Sequence, residues 1–198
     1  MDHPQPRILR AGDHRRERWR NGAGWTRQIH AQPSTVPGVD WDWRLSIAEI
    51  GEDAPFSAFP GVDRELVLLH GNGLRLRFDD GEVRELLPPH DRLRFAGERA
   101  LTGQLVDGPT EDFNLMWRRE AVDARLWHRP LVGSMVVFAE PHSTWALYLL
   151  AGQARFAGDP GLDGLGAGDA ALLPGGATRR RYMLDGGGEL LVMQISPL

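Results

Sequence analysis

Short apolar segments, each ended by turn-forming residues, run along almost the whole chain and limit the folds that it can adopt. Residues 43–48 and 74–78 alternate between apolar and polar or small side chains, as half-buried strands do. The second segment runs directly into Asp79-Asp80-Gly81, a typical hairpin turn. No stretch of about a dozen residues keeps a helical period without a breaker, although residues 111–119 fit either period. The pattern predicts an all-β protein, either a sandwich or a barrel.

This strand pattern occurs twice along the chain. Residues 68–76 align with residues 149–156, at an offset of about eighty residues that is typical of a duplicated small β domain. In both halves a turn, a short apolar strand and a glycine follow the aligned segment. We therefore predict two halves of one architecture, an N-terminal half over residues 1–120 and a C-terminal half over residues 121–198.

Composition excludes several classes of protein. The 198 residues include no cysteine, which excludes a disulfide framework, a thiolate metal site and a cysteine nucleophile. The 23 basic residues, all of them arginine, face 27 acidic residues, and this balance argues against nucleic acid as a partner. No window approaches the roughly 18 apolar residues of a membrane span, and the N-terminus is too polar for a signal peptide. We therefore expect a cytoplasmic protein with no nucleic-acid or membrane partner.

A glycine and proline motif in the C-terminal half resembles the cupin superfamily. Gly168, Pro174 and Gly176 have the spacing of the second cupin motif, Gly-x5-Pro-x-Gly. The resemblance implies a tandem cupin, in which two jelly-roll β-barrels with few short helices form one polypeptide. Cupins normally hold a metal on two histidines, a glutamate and a later histidine.

The positions that this resemblance assigns to the metal carry other residues. Counting back from the closing glycine places Arg64 at the glutamate position of the first half and Trp145 at that of the second. The late histidine position falls on Ala100 and on Arg179. The histidines elsewhere in the chain show none of the spacings of a zinc site. We therefore predict no metal and no other cofactor.

Four ordered blocks narrow the resemblance to the HutD/Ves family: Trp19-x-Asn21-Gly22-Ala23-Gly24-x-Thr26, residues 42–48, residues 55–64 and residues 112–116. The likeness implies a bicupin that binds a small pathway metabolite and is linked, in HutD, to bacterial histidine utilisation. Two positions depart from the family pattern. Ala23 stands where a third glycine is usual, which restricts the backbone only if φ is positive there. Gln28 stands near a usual acidic residue, which changes the charge offered to a ligand.

Arg64 is the leading candidate for ligand binding. If its side chain points into the barrel at the lost metal position, a guanidinium replaces the metal cation and the pocket still attracts an anion. A carboxylate, accepted by the arginine in a bidentate pair, is the expected contact. The alternative is an internal ion pair of Arg64 with Asp63, Glu65 or Asp112, and the sequence leaves the two interpretations evenly balanced.

Two strands carry further candidates. Arg44, Ser46 and Ala48 share one strand face, which is either the lumen or the solvent side. The bulky residues between them can fill the core instead and leave Arg44 outside, but the family resemblance favours Arg44 in the pocket. Residues 112, 114 and 116 also share a face, and Asn114 offers both a donor and an acceptor to a ligand or to a neighbouring strand.

The glycine-rich loop after Trp19 completes the candidate site. Its backbone N–H groups can cradle an anion around Asn21, although a plain turn between two strands explains the glycines equally well. No catalytic residue is predicted, because paired carboxylates and a Ser-His-Asp order are both lacking. The predicted ligand-binding residues are Asn21, Thr26, Arg44, Ser46, Phe59, Arg64, Asp112, Asn114, Met116 and Arg179.

Three functions are compatible with this set of residues. The favoured one is a metal-independent bicupin that binds a small carboxylated metabolite, such as urocanate or formylglutamate, and senses or buffers it. The first alternative is a metal-independent cupin enzyme, an isomerase or hydrolase that acts on a small carboxylic acid. The second is a regulatory or interaction protein without a ligand. Jelly rolls can pair through edge strands, so a homodimer is an open expectation.

Overall fold

The computed structural model describes residues 4–19, 21–158 and 161–198, and it consists of antiparallel β-strands joined by turns. Within these residues no α-helix forms, and Ala11–Asp13 make one short 3-10 turn. The predicted all-β class is therefore confirmed. The same residues contain no helix long and apolar enough to cross a membrane.

The described part of the chain forms sixteen strands. In chain order they are β1 (Arg7–Leu9), β2 (Arg15–Arg18), β3 (Gly24–Pro33), β4 (Trp41–Ile50), β5 (Ala54–Pro55), β6 (Val62–His70), β7 (Leu74–Phe78), β8 (Val83–Leu86), β9 (Arg92–Ala96), β10 (Leu101–Leu105), β11 (Thr110–Arg118), β12 (Val122–Ala139), β13 (Thr144–Ala157), β14 (Leu165–Gly166), β15 (Ala170–Pro174) and β16 (Arg180–Pro197).

The strands belong to two compact units. One unit is Arg15–Ala121, and the other combines residues 4–14 with Val122–Leu198. The second unit therefore includes residues 4–14, whereas the sequence pattern placed them in the N-terminal half, residues 1–120. The physical reason is the pairing of β1 with β15, in which Ile8 lies opposite Ala171. The side chain of Asp169 fixes the same segment, because it accepts hydrogen bonds from the Arg10 guanidinium and the Ala11 backbone N–H.

The Arg15–Ala121 unit contains two sheets. The larger has the strand order β2-β3-β4-β11-β6-β9, and the smaller has the order β5-β10-β7-β8. Alternation along β7 sends Leu74, Leu76 and Phe78 inward and two arginines outward. These inward side chains pack in one core with Leu66 and Leu68 of the larger sheet. The smaller sheet therefore covers part of one face of the larger sheet, and β7 is half-buried, as the alternation of residues 74–78 predicts.

The other unit is a single sheet with the order β1-β15-β13-β16-β12, to which β14 adds on β13. Its strands β12 and β16 have 18 residues each and pair along their whole length. Glycines permit the close approach of β13 and β16 at one point. A Cβ atom on Gly152 would lie 2.0 Å from the carbonyl oxygen of Gly187, so no larger residue fits there. The core of this sheet is mostly aliphatic, with Leu147, Leu149 and Leu190, and also contains the aromatic residues Phe156 and Tyr182.

Candidate functional site

Three neighbouring strands of the larger sheet, β4, β11 and β6, present polar side chains on one face. Their register places Met116 between Arg44 and Arg64, and it places Ser46 opposite Asn114. Paired residues on adjacent strands project to the same side of a sheet. Arg44 therefore shares a face with Arg64 and Asn114, which is the arrangement that the family resemblance favoured.

A cavity of about 610 Å³ lies on this face of the Arg15–Ala121 unit. Eight of the ten predicted ligand-binding residues line it, namely Asn21, Thr26, Arg44, Ser46, Phe59, Arg64, Asn114 and Met116. Seven lining residues were not predicted, namely Glu17, Arg18, Trp19, Ala48, Pro55, Phe56 and Ser57. Five of these seven lie within the family blocks, so block membership could have found them. The other two belong to β2, whose four residues are all exposed and show no apolar alternation.

Arg64 is almost fully buried, with 6% of its surface exposed. Its Nη2 donates to the Asn114 Oδ1 at 2.7 Å, while its Nε is buried and has no hydrogen-bond partner. Within the described part of the chain it forms no ion pair, because its acidic neighbours in sequence pair elsewhere. Asp63 pairs with Arg94 and Arg119, and Glu65 accepts from a third arginine, Arg92. The alternative of an ion pair with Asp63 or Glu65 is therefore not what the structure has.

The charge of Arg64 is poorly compensated. Burial, and after it the nearby positive charge of Arg44, lower the pKa of this guanidinium to about 10, although the negative charge of Asp112 acts in the opposite direction. With this pKa, Arg64 is still a cation at neutral pH. A buried cation without a counter-ion costs on the order of several kcal/mol. An anion placed in the cavity would recover part of that free energy.

Arg44 is a second cation in the same cavity. Its Nη2 lies 3.3 Å from the Met116 Sδ, and its buried Nε has no hydrogen-bond partner. Burial lowers the pKa of Arg44, and Glu17 partly opposes that shift. Its guanidinium carbon lies 5.3 Å from the ring centre of Trp41 and 5.6 Å from that of Phe59. Two guanidinium groups with unpaired N–H donors therefore face one cavity.

Aromatic rings surround the guanidinium of Arg64. Its central carbon lies 5.2 to 5.7 Å from the ring centres of Phe56, Phe59 and Phe95. Trp19 lies edge-on against Phe56, and its indole N–H donates to the Thr26 hydroxyl at 2.8 Å. Rings at these distances hold the cation in place through cation–π attraction and restrict the access of water to it. They also offer flat apolar walls to a planar ligand.

Asp112 is not among the residues that line the cavity. The residue has no exposed surface, and its Oδ2 accepts from the Thr110 hydroxyl at 3.1 Å. Its Oδ1 is buried without a hydrogen-bond partner. The pKa of this carboxyl group is raised to about 7, mainly by burial and also by the charge of Glu111, while the Thr110 hydrogen bond and the charge of Arg64 oppose the shift. The prediction of Asp112 as a direct ligand contact is thus corrected, because the residue is fully buried and does not line the cavity.

The glycine-rich loop contributes Asn21 to the cavity wall. The Asn21 Oδ1 accepts from the backbone N–H of Ala23 at 3.1 Å, so this side chain partly stabilises its own turn. Gly22 has a φ of +79°, whereas Ala23 is not among the residues with positive φ. The replacement of the usual glycine by Ala23 is therefore compatible with the backbone of this loop.

Arg179 lies in the other unit and is not a lining residue of this cavity. Its Nε pairs with Glu140 Oε1 at 3.0 Å, and more than half of both side chains is exposed. Its guanidinium carbon lies 4.3 Å from the ring centre of Phe138. An exposed, paired arginine is an ordinary surface feature, so the structure gives Arg179 none of the features that distinguish Arg64.

The residues that line the cavity do not suit a divalent cation. Cupins bind their metal through histidines and a carboxylate, but the described lining residues include no histidine and only one acidic residue, Glu17. The Glu17 side chain is 60% exposed and pairs with Arg15. Two arginines would repel a cation at the centre of the cavity. This donor set fits an anion.

A second cavity of about 480 Å³ in the same unit differs in its electrostatics. Its acidic lining residues, Glu49 and Glu111, both pair with Arg27, at 2.7 and 3.0 Å. The two carboxylates there are compensated by an arginine of the protein itself. The contrast marks the cavity at Arg64 as the candidate site.

Comparison with known proteins places the chain in a family. The model of the HutD family matches residues 11–192. The chain belongs to the HutD family. An uncharacterized 21.2 kDa protein in the hutC 3' region of Pseudomonas putida is 41% identical over 123 residues, which are 62% of this chain and 63% of that protein. Protein Ves of Cronobacter sakazakii is 41% identical over 109 residues, or 54% of this chain and 58% of Ves. The chain spans about three fifths of the length of these curated relatives.

Solved structures agree with this assignment. HutD from Pseudomonas fluorescens SBW25 has a TM-score of 0.84 and 30% sequence identity, and the match covers 98% of this chain and 100% of that one. Oxalate decarboxylase from Lactobacillus farciminis has a TM-score of 0.66 and 11% identity over 96% of this chain and 86% of its own. The second likeness shows the fold alone. The resemblance to HutD and Ves that the four sequence blocks carry is confirmed.

Proposed function

We propose that this HutD-family protein binds a small carboxylate in the cavity at Arg64 and acts as a sensor or buffer of that metabolite. The observation that carries the proposal is the buried Arg64 guanidinium, which has no ion pair among the described residues and an Nε donor without a partner. A carboxylate is the anion that matches the planar fork of a guanidinium best. In this function the two arginines occupy the role that a metal has in other cupins.

The cavity also supports a ligand of limited size and partly planar shape. Asn114 and Ser46 offer hydrogen-bonding groups beside the arginines, while Phe56 and Phe59 offer apolar walls. A ligand with one carboxylate and a flat or short polar remainder would use all of these groups. Urocanate has a carboxylate and an aromatic ring, and formylglutamate has carboxylates and an amide.

Family membership supports a link to histidine utilisation. The P. putida relative is named for its place in the hutC 3' region, and the HutD structure from P. fluorescens was obtained in a formate condition. We therefore propose that the ligand is an acid of that pathway. The enzymatic alternative would need an acid or base in contact with the ligand. Among the described lining residues only Glu17 carries a carboxyl group, and it is mostly exposed, which favours binding over catalysis.

Calorimetric titration of the purified protein with urocanate and with N-formylglutamate tests this proposal. We expect one binding site per chain for at least one of the two acids. The corresponding neutral primary amides should bind at least roughly tenfold more weakly, because they lose the charge that Arg64 and Arg44 attract. If neither acid binds, or if acid and amide bind alike, the proposed function is wrong.

Arg44→Met should weaken the binding of the same acids by roughly tenfold, because one of the two guanidinium donors is lost while the apolar stem is kept. The matched control is Arg75→Met, on the outward face of β7, where the arginine is exposed and pairs only with Glu85. That variant should bind as the wild type does. An equal loss of affinity in both variants would contradict a specific role for Arg44.

A further inference from the structure

Asp112 is a buried acid that the proposed binding mode does not use. It is fully enclosed on β11, where Ala48 of β4 and Leu68 of β6 are its apolar neighbours across the sheet. One of its carboxyl oxygens accepts from Thr110, and the other has no partner. A buried carboxyl group in such surroundings resists ionisation because its anion has lost the solvation of water.

Asp112 and Asn114 are two residues apart on β11, so their side chains project from the same face of the sheet, and Asn114 is the residue that contacts Arg64. Arg64 donates to the Asn114 Oδ1 at 2.7 Å, and the Asn114 Nδ2 lies 3.4 Å from the Asp112 backbone oxygen. The positive charge of Arg64 lowers the pKa of the Asp112 carboxyl group. The negative charge of Glu111, the residue before Asp112 on β11, raises it. The state of charge at Arg64 therefore affects the ease with which Asp112 loses its proton.

We propose that Asp112 takes up a proton when a carboxylate binds beside Arg64, so that the cavity binds its anion and a proton together. The inference rests on the proposed function and adds its regulation by pH. A bound carboxylate neutralises Arg64, which is the charge that favours the Asp112 anion, and it adds a negative charge nearby. Both effects stabilise the protonated carboxyl group of Asp112.

The sign of the pH dependence follows from this coupling. The pKa of Asp112 in the free protein is raised to about 7 by burial, and the bound anion raises it further. Between the two pKa values the complex holds a proton that the free protein lacks, so affinity falls as pH rises through that interval. Arg64 itself titrates at about 10 and stays charged throughout.

Other titratable groups of the unit lie near this region and have to be separated from Asp112. Arg44 faces the cavity from β4, His90 contacts the Leu68 carbonyl, and His70 lies opposite Glu111 on the end of β6. His30 packs against Trp43 on the opposite face of the larger sheet. The comparison of the wild type with Asp112→Asn removes only the acid in question and leaves all of these groups in place.

Calorimetry of N-formylglutamate and of formate in buffers with different ionisation enthalpies measures the coupling directly. Neither acid titrates near neutrality, so protons taken up from the buffer report on the protein. Near pH 7.5 the wild type should take up about half a proton per bound acid, and affinity should fall by several-fold between about pH 6.5 and 8.5. In Asp112→Asn both effects should vanish, while the control Asp79→Asn, in an exposed turn, should behave as the wild type.

Distinct outcomes overturn distinct claims. Binding of these acids by the wild type without proton uptake, or undiminished uptake in Asp112→Asn, overturns the role of Asp112 and leaves the proposed function standing. If none of N-formylglutamate, formate and urocanate binds, the proposed function is wrong and this inference fails with it. Carbon-13 NMR of aspartate-labelled wild type gives a second measurement that does not need a variant. The Asp112 carboxyl should titrate near pH 7 in the free protein and at higher pH with N-formylglutamate bound, and a carboxyl that titrates at an ordinary pKa contradicts the proposal.

Discussion

Arg64→Met should abolish carboxylate binding and at the same time make the protein more stable. The arginine is 6% exposed, and within the described residues its guanidinium has one hydrogen bond and no ion pair. Loss of this charge removes the main attraction for the acid, and we expect affinity to drop by roughly a hundredfold or more. The methionine keeps most of the side-chain volume between the aromatic rings. It also removes the cost of a buried, uncompensated cation, so the free energy of unfolding should rise by about 1–3 kcal/mol.

Urea unfolding and calorimetric titration with N-formylglutamate, measured on the same preparations, check this pair of effects. Arg75→Met, the exposed control, should change neither quantity by more than about 0.5 kcal/mol. A structural arginine behaves in the opposite way, because its removal destabilises the protein. If Arg64→Met loses stability as it loses binding, Arg64 supports the fold and is not a cation held ready for a ligand.

Asp112→Asn should change the pH dependence of stability more than any other carboxyl replacement in this unit. The pKa of Asp112 in the folded protein is about 7, above the usual value of an aspartate, so the folded state holds the proton more tightly than the unfolded state does. The wild type therefore has its full stability from this group below about pH 4 and loses it as pH rises to about 7. Over this pH range the ionisation of this single group lowers the free energy of unfolding by about 4 kcal/mol at most.

The difference between the two unfolding free energies isolates this effect, since all other carboxyl groups are common to both proteins. At about pH 5 Asp112→Asn should be equal to the wild type or slightly less stable, because its amide leaves one buried N–H donor without an acceptor. At about pH 8 it should be more stable by about 2 kcal/mol or more. Parallel pH profiles for Asp112→Asn and the wild type would show that Asp112 ionises as an ordinary surface carboxyl does.

The sequence predicts the faces of the strands well because alternation is a local property. Arg44 and Ser46, or Asn114 and Met116, are two residues apart on a strand, so each pair must share a side of the sheet. The pairing of β4 with β11 and of β11 with β6 then brings the faces together. Which of the two faces would be covered is a tertiary property. For Arg44 only the resemblance to HutD and Ves favoured the cavity side.

Other features of the site depend on contacts between distant segments and have no local signal. The pairing of Ile8 with Ala171 moves the N-terminal segment into the unit of Val122–Leu198, and this pairing joins residues more than 160 positions apart in the sequence. Glu17 enters the cavity wall through the pairing of β2 with β3, and the exposed residues of β2 carry no apolar pattern. The enclosure of Asp112 depends on three strands and on the core above them. From the sequence it was indistinguishable from a residue on the cavity wall.

A crystal structure of the protein soaked with N-formylglutamate tests the central claim most directly, which is that the cavity at Arg64 is a carboxylate site. We predict electron density for a carboxylate within hydrogen-bonding distance of the Arg64 guanidinium, with the Nε that now lacks a partner donating to one of its oxygens, and with Arg44 on the same ligand. Density for the acid only elsewhere on the protein, with the cavity at Arg64 filled by water or by protein side chains, would contradict the account.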